Sequence, residues 1–201
     1  MTAWRVALTF DIEQSDRPSG PGNTERLLDA LEVAGVPATL FVQGRWAEAF
    51  PATARRIGSS AHLVGHHSYY HARMSLLSDV GFATDLRDGE TAIRESVGAD
   101  PSPWFRLPFG DGADDPRVLA AIDAAGYRHI GWDVDGLDWE VGRTASALEG
   151  DIVDGAIDHG DGAIILCHGW PDPTHEALPG IVARLRDAGT EFVRVDALGV
   201  A

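Results

Sequence analysis

Lysine is missing altogether: all 16 basic residues are arginine. That excludes Schiff-base catalysis and the phosphate-binding loop that ends in lysine. Cysteine is nearly absent, and Cys167 alone cannot form an internal disulfide. Basic runs are lacking as well. With 31 acidic residues against those 16 and a formal charge of -15, the chain offers no stripe to track a phosphate backbone, so nucleic acid is not an expected partner. No long hydrophobic run is present either. Arg5 and Asp11 interrupt the first apolar stretch, so neither a secretory core nor a membrane span is read there. The expected location is the cytoplasm, or the exterior if a leader has been trimmed. No glycine-rich first turn of the dinucleotide-binding type follows the first strand.

What is present suits one domain over residues 1–201. Arg5 to Phe10 reads as a buried strand that exits into Asp11-Ile12-Glu13. Asn23 or Thr24 can cap a helix ending at Ala34, where Gly35 stops it. Val36 to Val42 is the second strand, and Trp46 to Ile57 is helical with a break at Pro51. His62 to Gly65 forms a third strand. Ser78 to Val97 is an amphipathic helix, Pro103 to Leu107 a short strand, and Asp115-Pro116 the start of another helix. Tyr127 to Trp132 reads as a strand, Thr144 to Asp158 as a helix, Gly162 to Cys167 as a strand, Glu176 to Ala188 as a helix and Glu191 to Val195 as the last strand.

Three joints share one grammar: Val33-Ala34-Gly35, Ala124-Ala125-Gly126 and Asp187-Ala188-Gly189. Strands alternating with helices indicate an α/β fold with parallel strands. Because polar clusters sit at strand exits and plain Ala-Gly turns at the other ends, a distorted (β/α) barrel of about seven parallel strands with one functional rim is expected. An open doubly wound sheet is the alternative.

The strand exits carry the chemistry. His67 and His71 are four residues apart, and on one helical turn their rings would grip a single metal ion. A catalytic zinc usually takes three protein ligands, so an oxygen ligand must come from elsewhere. Other exits supply Asp11 and Glu13, Arg106, Asp135 and Asp138 with Trp139, and His168. Asp135 reads first as a loop cap. His62, His66, His129, His159 and His175 read as surface or structural histidines, and Trp132, Trp139 and Trp170 as core or ligand wall.

Thr9-Phe10-Asp11, His67-Ser68-x-x-His71, Arg106-x-Pro108-x-Gly110, Asp135-x-x-Asp138-Trp139 and Leu166-x-His168, in this order, resemble the polysaccharide deacetylase family with the NodB homology domain, carbohydrate esterase family four. The resemblance covers nearly the whole chain. It implies that His67 and His71 bind the metal, that Asp11 is the catalytic base, and that Arg106 holds and orients Asp11. It also implies that His168, bonded to Asp138, is the acid for the leaving amine. Trp139 and Leu166 would line the slot for the acyl methyl, and the main-chain amide of Phe109 would help receive the oxyanion.

One position departs from the family pattern: Ile12 stands where a second aspartate usually binds metal, and Glu13 follows. If the backbone bulges there, Glu13 reaches the ion; otherwise Asp11 ligates, or two histidines hold the ion alone. The expected metal is zinc, with cobalt or another divalent ion compatible. The expected activity is metal-dependent hydrolysis of an N-acyl group, acetyl first, from an amino sugar. The alternatives are the same chemistry on a small non-sugar amide, imide or formamide, and a catalytically silent carbohydrate-binding module. Oligomeric state has no signature in the sequence.

Overall fold

The structure, a computed structural model, describes residues 4–15 and 17–199. In chain order its elements are β1 (Trp4–Ile12), α1 (Asn23–Ala34), β2 (Thr39–Val42), α2 (Gly44–Ala49), α3 (Pro51–Gly58), β3 (Leu63–His66), α4 (Asp79–Ser96), β4 (Trp104–Phe105), α5 (Pro116–Ala124), β5 (Arg128–His129), β6 (Val134–Asp135), α6 (Ala145–His159), β7 (Ala163–His168), α7 (Asp172–Asp187) and β8 (Thr190–Val193). The alternation and the parallel pairing of the strands place the fold in the expected α/β class, that of distorted (β/α) barrels.

The described residues pack as two compact units, one containing 4–11, 15, 17–39 and 132–199, the other Ile12–Gln14 and Leu40–Gly131. In the first, β1 is central. Val6 to Asp11 pair with Ala163 to His168 of β7, and Trp4 to Ala7 pair with Thr190 to Val193 of β8. Beyond β7 lies β6, Val134 opposite Ile165 and Asp135 opposite Leu166. From Val6 onward β1 is buried without alternation, as a parallel strand covered on both faces should be. Helix α7 packs against α1 and α6.

In the second unit the strands run β2, β3, β4, β5, with His66 opposite Phe105 and Phe105 opposite His129. Its core joins Met74, Phe82, Leu86, Phe105, Leu107, Val118, Ile122 and Tyr127. On the inner face of α4, Phe82, Asp85, Leu86, Gly89, Ala92 and Ile93 are buried. A carboxylate and a glycine therefore sit in an otherwise apolar stripe.

The repeated joints behave as their sequence requires: Gly35, Gly126 and Gly189 have φ of 61°, 82° and 88°, a left-handed stop that glycine adopts without strain. Several boundaries differ from expectation. Neither Asn23 nor Thr24 caps α1. The cap position is Gly22, because the Asn23 amide donates to Trp170 O and Asp172 Oδ1 while the Thr24 hydroxyl donates to Gly169 O. The expected strand Tyr127 to Trp132 is only Arg128–His129, and a further short strand follows at Val134–Asp135. Helix α7 starts earlier than expected, at Asp172, since Pro173 fits the first turn, where no amide hydrogen is needed.

Candidate active site

The histidine pair does not lie on a helix. Residues 67–71 form a loop after β3, and both Ser68 (φ 64°) and His71 (φ 59°) are left-handed. The rings still meet, with centroids 4.9 Å apart. Side chains rather than a helical ladder hold this loop. The Ser68 amide donates to His66 Nδ1, the Tyr69 and Tyr70 amides to the two oxygens of Asp85, and the His71 amide to Ser68 Oγ, each at 3.0 Å.

Glu13 completes the pair. Its Oε2 lies 2.6 Å from His71 Nε2 and 3.3 Å from His67 Nε2, and the three donor atoms fall within 4.8 Å of one another. Glu13 is the first residue beyond β1 and is buried, as is Ile12 before it. The donor set fits a divalent ion on the chemistry of His67. Its Nδ1 faces the Arg106 carbonyl at 2.9 Å, an acceptor, so the ring proton resides on Nδ1 and Nε2 presents a lone pair. That lone pair faces a carboxylate oxygen of Glu13, and a divalent cation, were it held by this set, would be an acceptable partner for both.

His66 cannot be a ligand. Nδ1 accepts from Ser68 and Nε2 donates to Leu86 O at 3.0 Å, while burial drives its pKa down to about 4. It is structural, as expected.

Arg106 is fully buried. Its guanidinium donates to Ile130 O and Gly131 O and lies 4.2 Å from the centre of the Phe41 ring. Phe109, with φ 59°, sets its ring 4.4 Å from that of His71, and the Arg73 guanidinium lies 4.6 Å from the Phe109 ring centre.

In the other unit, Asp11 and His168 are register partners on β1 and β7, so their side chains leave the sheet on one face. His168 Nδ1 lies 2.7 Å from Asp138 Oδ1. The carboxylate only accepts, so Nδ1 carries the proton and donates. Asp138 Oδ2 accepts from the His168 amide and from the hydroxyl of Thr174. Thr174 had no motif to mark it; it arrives because α7 begins early.

Asp135 caps the turn before Asp138, accepting from the Leu137 amide at 2.9 Å, and burial raises its pKa. Leu166 is buried two residues before His168, whereas Trp139 is partly exposed. The Arg17 guanidinium donates to Trp139 O and lies near the rings of both Trp139 and Trp170. Among the described residues the non-glycine positions with positive φ are Ser68, His71, Phe109 and Leu137, all in segments that carry candidates. Such strain, about 1–3 kcal/mol per residue, persists where the surroundings over-determine it.

A (β/α)-barrel protein with a His-His-carboxylate donor set and a carboxylate-held histidine has the equipment of a hydrolase. The chain belongs to the polysaccharide deacetylase family, whose model matches residues 2–130. It is 27% identical over 199 residues to a peptidoglycan-N-acetylglucosamine deacetylase of Bacillus cereus, covering 96% of this chain and 67% of the relative. A deacetylase solved with substrate superposes with a TM-score of 0.83 at 32% identity, covering 98% of this chain and 91% of that one. A carbohydrate esterase family 4 pseudoenzyme from Bacillus anthracis superposes with a TM-score of 0.86 at 26% identity, over 98% of this chain and 66% of that one.

Proposed function

We propose that the protein is a divalent-metal-dependent deacetylase that removes the acetyl group from an N-acetylated amino sugar. The observation that carries this reading is the convergence of Glu13 Oε2, His67 Nε2 and His71 Nε2. Glu13 takes the part of the metal-binding aspartate whose place Ile12 occupies. The metal is zinc, with cobalt an acceptable substitute, since a set of two imidazoles and one carboxylate does not discriminate sharply. Bound there, the ion supplies Lewis acidity, polarising an amide carbonyl and making water easier to deprotonate.

The remaining work falls to the chain. Asp11 takes the proton from the attacking water, and His168 Nε2 gives one to the departing amine, which leaves poorly as an anion. Asp138 fixes the ring and stabilises its cationic form. Leu166 and Trp139 bound the space for the acetyl methyl, and the Phe109 amide donates to the developing oxyanion. The Bacillus cereus relative is a peptidoglycan-N-acetylglucosamine deacetylase, and the sugar class is carried over from it.

The test is acetate release by zinc-loaded protein from N-acetylglucosamine oligomers, with a panel of small amides and formamides alongside. His71→Ala should lose both bound zinc and turnover. Asp11→Asn should retain zinc while its rate falls by at least 100-fold, the lower end of what a positioned base contributes, about 10²–10⁴. Release from the small amides alone would move the substrate class. The similarity to a pseudoenzyme favours one second reading, a silent sugar-binding module, which predicts oligomer binding without acetate release.

A further inference from the structure

We infer that Asp85 is a positioning residue for the metal site, setting the divalent-ion affinity of the His67–His71 loop; this rests on the metal reading above. Asp85 lies on the buried face of α4, only 3% exposed. Its Oδ1 accepts from the Tyr69 amide and its Oδ2 from the Tyr70 amide, each at 3.0 Å. Those two residues are the middle of the span joining the proposed ligands. A carboxylate is costly to bury unless it is well bonded, and charge-assisted bonds to amides are roughly twice as strong as neutral ones.

The loop needs such a clamp. Ser68 and His71 bracket Tyr69 and Tyr70, and both are left-handed without being glycine. From the other side, the Gly44 and Arg45 amides donate to Ser68 O and Tyr69 O. The approach of α4 is close enough that a Cβ on Gly89 would fall 3.1 Å from the Ser68 carbonyl carbon and 2.7 Å from the His66 ring. Asp85 thus fixes the peptide planes from which the imidazoles project. A loop already in the ligating conformation has no ordering cost to meet when the ion binds.

The residues that orient metal ligands typically change affinity by about 10–100-fold when altered. Asp85→Asn keeps the shape, but it leaves one acceptor oxygen and turns an NH2 group toward an amide hydrogen. Zinc affinity is measured by competition with a chromogenic chelator, and the unfolding midpoint of the metal-free protein alongside it. The expected result is a zinc dissociation constant raised at least tenfold. An unchanged constant in a folded variant overturns the inference, even if its midpoint has fallen, because that pattern marks a purely structural residue. Should the variant not fold, hydrogen exchange of the metal-free wild type decides. Tyr69 and Tyr70 amides protected from exchange support the clamp, and exchange at free-peptide rates refutes it. Wild-type protein that binds no zinc removes the metal reading and this inference together. Zinc bound equally by wild type and variant removes only the inference.

Discussion

His129 shows how one side chain can write itself into the acid stability of the protein. Burial, and then the neighbouring Arg106 guanidinium, lower its pKa from 6.5 to about 4, against a hydrogen bond to the Phe105 backbone. The native state therefore binds fewer protons than the unfolded chain between those values. This stabilising contribution is fully present above pH 6.5 and is lost as the pH falls toward 4, at up to about 1.4 kcal/mol per pH unit. In metal-free protein, His129→Gln should flatten the stability profile in that window relative to wild type, as read from urea unfolding at several pH values. Parallel profiles would mean that His129 titrates alike in both states. At this scale the sequence was uneven. His67, His71 and the His168–Asp138 contact could be read because motifs carry them, whereas Glu13 stands outside any motif and was legible only from the departure at Ile12. Asp85 and Thr174 could not, since each acts on a partner remote in sequence. Asp85 left one trace, a carboxylate at a position where the helical period of α4 calls for an apolar residue.

Among elements, the joints were the most legible feature, because a left-handed stop is a local requirement that glycine meets at each recurrence. The His67–His71 span was misread for the opposite reason. A spacing of four predicts a helical turn only where the backbone supplies the hydrogen bonds, and here His66, Ser68 and Asp85 supply them. The helix that carries Asp85 makes a contrast testable by one substitution at two sites. Alanine is about 1 kcal/mol better than glycine within a helix. At Gly150 in α6 an added Cβ meets nothing within 4 Å, whereas at Gly89 it meets the buried His66 ring at 2.7 Å. Gly150→Ala should stabilise by about 0.5–1 kcal/mol. Gly89→Ala should destabilise by up to about 2 kcal/mol, an overpacking cost of about 1–3 kcal/mol less a helical gain of about 1 kcal/mol. A denaturant midpoint raised by both substitutions would show that the approach of α4 to the His67–His71 loop is not tight.

For the molecule as a whole, composition excluded more than it identified: without lysine, basic runs or paired cysteines, whole classes of chemistry fell away before any motif was found. The same composition leaves a net charge of -15 on the chain, a field that attracts divalent cations and weakens as salt screens it. If the Glu13, His67 and His71 cluster binds zinc only in the folded state, binding must raise stability by mass action. At a free concentration 100 times the dissociation constant the gain is about 2.7 kcal/mol, or roughly 5–11 °C in Tm for a chain of this length. Adding a chelator in excess should reverse that rise, and His71→Ala should show none of it at the same zinc concentration. The variant keeps the overall charge and every carboxylate, so an equal rise in wild type and variant would trace the stabilisation to diffuse attraction by the acidic surface. A rise confined to wild type traces it to the three converging side chains, which is the behaviour a site for one resident ion requires.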